Sequence, residues 1–286
     1  MNLQKQIKEE YAHITKAEIR ELICPKQDFQ VDKILEKCEE FLSSKFVPKT
    51  FDEVKKNYEF SYKLIKKIDF TSNDITLFSL SLHDLQDFRG KVVYSKNPFP
   101  SYPDQEDQFS SNVGIFISSL INRHHKKTKE RAQITEQYHI NTSLYEKKID
   151  WLCFRNDGAN VFIKGDTGYF TCFSMKDGRV NVNGTAENAA GKYMEGGILI
   201  LKEAKNSLGD HMTGGRIEVE KTGDYTGNCM RNGEIFISNE IEGIGTYYFG
   251  KIYFKNEKMP YRARISPCIR LSMEDEEHFL KNYVEK

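Results

Sequence analysis

Three groups of residues carry chemistry by type and spacing. The first is Asp166, Glu187, Asp210, His211 and Asp224, acid–base side chains that fall near turns of the second half. Carboxylates held a few ångströms apart divide into acid and base, the arrangement used by polysaccharide-active solenoids. These five do not recur at one position of any repeat, so ordinary polar turn residues account for them equally. The second group is the basic run Arg123-His-His-Lys-Lys-Thr-Lys-Glu-Arg131, the one concentrated charge in the chain. Arg123, Lys126, Lys127 and Arg131 could contact phosphate, RNA or an acidic partner, or simply form the solvated, cationic end of an amphipathic helix. No aromatic residues interleave with them as in single-strand binders. Adjacent helical residues diverge by about 100°, so His124 and His125 cannot place both rings on one face. The third group is the methionine ladder Met175, Met194, Met212 and Met230. Thioethers bind soft metals, but in-phase spacing down a chain fits a packed interior better. The six cysteines form no CxxC pair, and no histidine lies at a conventional ligand spacing from one. No catalytic residue, metal ligand or cofactor site is therefore assigned.

What must position these residues is a repeat. Gly191, Gly209, Gly227 and Gly245 recur every 18 residues. The copies read Gly-x-x-Met-x-Gly/Asn-Gly-x-apolar-x-apolar, and further copies lie 19 residues upstream, at Met175–Val182 and Asn160–Ile163. Such a period indicates stacked coils. The terminal alternation is a short strand with one face buried. The expected interior pairs are Val180/Val182, Leu199/Leu201, Ile217/Val219, Ile235/Ile237 and Ile252/Phe254, with the methionines filling a corner. Glycines at corners permit positive φ or close backbone approach, so Gly209→Val is expected to destabilise far more than a change at Asp210.

Upstream, residues 2–22 favour helix. Val31, Ile34, Leu35, Cys38, Phe41 and Leu42 form one helical stripe, with Asp28 placed to cap it. Thr50-Phe-Asp-Glu53 is a capping box opening a helix with Val54, Tyr58, Tyr62 and Ile65 on one face. Ile75–Leu82 alternates as a strand would, Lys91–Tyr94 is a second short strand candidate, and residues 97–104, with three prolines, read as a loop. Ser110 or Ser111 is expected to cap a helix carrying Val113, Ile117, Leu120 and Ile121 into the basic run. At the far end Tyr247, Tyr248, Phe249, Tyr253, Phe254 and Tyr261 form an aromatic cluster expected to pack under a tail with a strand at 265–271 and a helix from Met273, or, left uncovered, to form a partner surface.

Gly165-Asp-Thr-Gly168, Met175-Lys-Asp-Gly178, Val180-Asn-Val-Asn-Gly184 and the Gly-x-x-Met-x-Gly-Gly copies resemble the GXGXG domain that closes the large subunit of glutamate synthase and recurs in the C subunit of formylmethanofuran dehydrogenase. The likeness covers about residues 158–256. It implies a right-handed β-helix and a structural, scaffolding role. The amidotransferase cysteine, flavin barrel and iron–sulfur cysteines of those complexes have no counterpart here, so their activities do not carry over. The resulting reading is an α+β chain: a mainly α-helical domain over residues 1–150, a single-stranded right-handed β-helix over 151–271 with about 18 residues per coil, and a short C-terminal capping helix over 272–286.

The 286 residues carry 42 basic and 42 acidic side chains, and the balance also holds within each half. No global field draws the chain to nucleic acid or anionic membrane. The polar N-terminus is no signal peptide, and Val113–Ile121 is too short to span a bilayer. The expectations are a cytoplasmic, cofactor-free scaffold or assembly subunit, with a protein partner or self-association, no membrane, and nucleic acid as a possible partner. The alternatives are RNA binding through the basic helix, or an acid–base enzyme with its site between the helical domain and the β-helix.

Overall fold

The computed structural model describes residues 30–44, 47–48, 50–82, 108–132, 136–246 and 249–255. The expected first helix, the Asp28 cap, the Lys91–Tyr94 strand, the 97–104 loop and the tail elements beyond residue 255 lie outside these residues, as do Tyr247, Tyr248 and Tyr261.

Helix α1, Val31–Ser44, buries all six residues of the expected stripe. Helix α2, Phe51–Leu64, starts at Thr50, whose side chain accepts from the Glu53 amide while Glu53 reaches back to the Thr50 amide. Helix α3, Ser72–Ser81, replaces the expected strand at Ile75–Leu82. Thr71 and Asp74 form a second capping box there, and the Asp74 carboxylate also accepts from the Gln30 amide at 2.8 Å. Ile75, Phe78 and Leu82 then share one buried face. Apolar residues surround so much of this short element that its alternation fits a strand as well as a helix, and the cap decides. Helix α4 spans Gln108–Ala132. It begins before Ser110 and Ser111, so neither is its cap. Their hydroxyls donate instead to the Lys148 carbonyl at 2.6 Å and the Asp150 carboxylate at 3.1 Å.

The rest is a parallel β-solenoid. Strands β1 (Gln137–Asn141), β2 (Asp157–Lys164), β3 (Asp177–Ala186), β4 (Ile198–Ala204), β5 (Arg216–Thr222), β6 (Glu234–Ile241) and β7 (Lys251–Phe254) form one sheet in sequence order. The partners Tyr138, Val161, Val180, Leu199, Ile217, Ile235 and Ile252 lie side by side, so the coils advance by 23, 19, 19, 18, 18 and 17 residues. The first turn therefore starts at β1, within residues 1–150, where the longer 23-residue coil hides it from an 18-residue search. The expected interior pairs face inward, all buried except Phe254, which is half-buried.

The wall opposite the sheet is not β-structure. Every second residue there has positive φ: Trp151, Cys153 and Arg155; Phe170, Cys172 and Ser174; Ala189, Gly191 and Tyr193; Ser207, Gly209 and His211; Tyr225, Gly227 and Cys229. Left-handed backbone costs a non-glycine residue about 1–2 kcal/mol, and hydrogen bonds between coils offset it. Within one coil, the Phe170 and Ser174 amides donate forward to Asn188 and Lys192, while the Cys172 amide donates back to Leu152. This satisfies buried backbone groups without a sheet and sets equivalent side chains in columns one coil apart.

The methionine column is wholly buried. Each methionine ends beneath a glycine of the next coil. A Cβ on Gly197, Gly215 or Gly233 would stand 2.6, 2.8 or 2.6 Å from the Cε of Met175, Met194 or Met212. That contact explains why the two ladders run in phase.

Candidate functional site

A cleft of about 560 Å³ opens where helices α2 and α4 meet the first coils. Asn122 fixes its floor. The amide donates to the Tyr58 hydroxyl and the Phe154 carbonyl, both at 3.0 Å, tying both helices to the turn wall. Above it stand Tyr62, His125, Lys126, Lys129 and Glu130, with Arg155, Asp157 and Lys176 from the solenoid. Asn122, His125, Lys126 and Lys129 are spaced as one helical stripe. His125 is buried and its Nδ1 has no hydrogen-bond partner. A Cβ on Gly158 would stand 2.9 Å from its Nε2, so glycine there admits the ring. Burial lowers the His125 pKa, and Lys129 adds to this. Burial pushes the Tyr58 hydroxyl up to about 12.

Helix geometry divides the basic run. Lys126 faces the cleft, but Arg123 and Lys127 project from the neighbouring stripe. The Arg123 guanidinium donates to the Ile68 carbonyl at 2.8 Å and to the Lys66 carbonyl, and lies over the Phe70 ring. Lys127 pairs with Asp69. Both cations thus hold the α2–α3 connection against α4. The side chain of Arg131 lies outside the described residues. His124 and His125 are both buried but diverge, His124 to the Tyr138 hydroxyl at 3.0 Å and His125 to the cleft. A broader groove of about 740 Å³ between α1 and the end of α2 gathers Lys33, Lys37, Lys63, Lys66 and Lys67. These lysines are scattered in sequence, and only the packing of the two helices assembles them.

None of the five acid–base candidates lines the cleft, whose carboxylates are Glu130 and Asp157. Lys148 gathers two of the five, with Glu187 at 2.5 Å and Asp166 at 3.8 Å. Asp166 also accepts from the Thr185 amide, and the Asp224 amide donates to Asn206. Asp210 and His211 belong to a separate network on the turn wall. The Asp210 carboxylate is buried and meets Lys192 Nζ at 2.8 Å, His211 Nδ1 at 2.7 Å and Asn228 Nδ2 at 3.1 Å. The Tyr193 ring packs on His211 from the preceding coil, with centroids 4.9 Å apart. Cys229 lies in the next coil, in the same column as His211. One ligand atom each from Asp210, His211 and Cys229 lie within 4.8 Å of one another. Sequence reasoning missed this group because it sought short ligand spacings. In a solenoid the relevant spacing is one coil, and His211 and Cys229 are 18 residues apart.

No family model, curated protein or solved structure matches this chain. The likeness to the GXGXG domain rests on sequence motifs alone. No helix among the described residues is long and apolar enough to cross a membrane.

Proposed function

We propose that this chain is a non-catalytic scaffold or assembly subunit that presents its solenoid to a protein partner. The observation that carries this reading is the placement of aromatic side chains. Helix α2 covers the early turn wall, where Phe51 meets Phe154 and Phe173. In the later coils Tyr225 and Phe249 stand 58% and 72% exposed, against 42% for Phe51. Exposed aromatic side chains on a rigid frame are the common anchors of protein interfaces. The residues that repeat serve stacking, which leaves recognition to these non-repeating ones. The test is recovery of native complexes by mass spectrometry, with and without nuclease, beside size-exclusion chromatography with light scattering. Tyr225→Ser with Phe249→Ser should lower recovery of a nuclease-resistant partner, or dissolve a homo-oligomer. A clean monomer without partners refutes the proposal. A partner lost to nuclease replaces it with a nucleic-acid role for the lysine groove.

The cleft favours one second reading, an acid–base site between the helices and the solenoid. It brings His125, Asp157 and Glu130 to one concavity at a junction of structural units, where ligand sites commonly form. This reading predicts that small anionic metabolites raise the melting temperature and that His125→Asn removes the effect. A melting temperature unmoved by a broad ligand panel rejects it.

A further inference from the structure

We propose that Asp210, His211 and Cys229 form a binding site for a divalent transition metal of borderline softness, with zinc as the best fit. The three donors are a carboxylate, an imidazole and a thiol, the set that zinc takes in proteins. They come from adjacent coils of a wall held by main-chain hydrogen bonds. Asp210 and His211 follow one another on one coil, and the Asn228 carbonyl one coil on accepts from the His211 amide. Cys229 follows Asn228, which fixes where its side chain emerges. The site therefore does not depend on a loop closing.

The dimensions suit the ion after a small adjustment. Tetrahedral zinc with bonds of roughly 2.0–2.3 Å needs donor atoms about 3.3–3.8 Å apart. The donors here lie within 4.8 Å of one another, and the His211–Asp210 hydrogen bond, at 2.7 Å, must open. Both changes are side-chain rotations of about an ångström, and His211 and Cys229 are half-buried, so solvent reaches them. On binding, the Cys229 thiol releases its proton to solvent and imidazole coordinates as the neutral ring. Supporting groups surround the site. Lys192 holds the second Asp210 oxygen, Asn228 donates to the first, and Tyr193 packs on the imidazole. Such partners orient metal ligands. Three protein ligands leave one tetrahedral position for water or for a donor from a partner.

The other cysteines of the described residues, Cys38, Cys153 and Cys172, are buried, and the burial that raises the Cys38 and Cys172 thiols keeps them from acting as thiolates. The experiment is titration of the reduced full-length chain with Co2+, followed by displacement with Zn2+. The expected result is one equivalent bound with a near-ultraviolet sulfur-to-cobalt charge-transfer band that zinc abolishes. Cys229→Ser should remove the band. Asp210→Asn and His211→Asn should each weaken binding by roughly tenfold or more, asparagine being chosen at 211 because it tolerates the left-handed backbone. A Cys24→Ser/Cys268→Ser variant should keep the band. Circular dichroism and thermal melts of each apo variant establish that it is folded. No saturable binding by the folded chain, or a band that survives Cys229→Ser, overturns the proposal.

Discussion

Gly209 tests whether the solenoid's interior is matched coil by coil. It sits on the turn wall at φ +66, and a Cβ added there would lie 2.8 Å from Ile235 Cδ1 and 3.2 Å from Ile217 Cδ1. Two costs follow. Left-handed backbone on an L-residue costs about 1–2 kcal/mol, and overpacking adds about 1–3 kcal/mol. Gly209→Val should therefore lose about 2–5 kcal/mol, and Gly209→Ala an amount near the lower end. The two costs can be separated, because Cys153 and Cys172 occupy the same column at φ 59. Left-handed backbone is thus compatible with a side chain at this position when the facing residue leaves room. Ile235→Val removes the methyl group that the new Cβ meets. Alone it should cost about 0.5–1.5 kcal/mol. Combined with Gly209→Ala it should cost at least about 0.5 kcal/mol less than the sum of the single changes. Urea unfolding at one pH gives all four free energies of the cycle. Strict additivity would show that the close approach of Gly209 to Ile235 carries no energy, and a loss below about 1 kcal/mol for Gly209→Val would refute the backbone argument as well.

Asp210 is not the indifferent turn residue that its sequence context suggests: Asp210→Ala leaves Lys192, His211 and Asn228 without their shared acceptor, and should cost about 1–3 kcal/mol by urea unfolding, which brings it close to Gly209→Ala. Arg123→Ala should likewise lose about 1–3 kcal/mol, because two carbonyls lose their charged donor, whereas Lys126→Ala should stay within about 0.5 kcal/mol of wild type; equal effects would contradict the division of the basic run between two helix faces. Tyr58 is held neutral by burial, with its pKa raised to about 12. The unfolded chain loses that proton near pH 10 and the folded chain keeps it, so stability falls as pH rises from about 10 to 12. Tyr58→Phe should flatten that decline in urea melts, and an unchanged slope would count against the burial assigned to the hydroxyl. His124 and His125 have pKa values lowered by burial. The unfolded chain takes up protons below about pH 6.5 before the folded chain does, so stability should drop as pH falls from 7 toward 5. A flat profile there, or one unaltered by His125→Asn, would contradict the assignment.

The difference between what the sequence discloses and what it hides follows from which interactions repeat. The sheet, the methionine column and the inward pairs repeat because each coil packs against a copy of itself, so residue type at one period suffices to find them. The turn wall repeats its backbone instead. Trp151, Phe170, Ala189, Ser207 and Tyr225 share one left-handed position although their side chains range from a methyl group to an indole, because main-chain hydrogen bonds join coil to coil whatever side chain stands there. A column of unlike side chains leaves no trace in a search for like ones. That is why His211 and Cys229, in register and one coil apart, were legible as two isolated polar residues but not as neighbours. The helical half fails differently. Its Thr50–Glu53 capping box and α1 stripe are local and readable, but the lysine groove and the two roles within Arg123–Arg131 depend on which helix faces which, and that is set by packing around Phe41, Phe78 and Phe116. In a solenoid, then, function is best sought among residues separated by one period whose types do not match. By that criterion the turn wall from Lys192 to Cys229, rather than the repeating interior, is the part of this chain with freedom to acquire chemistry.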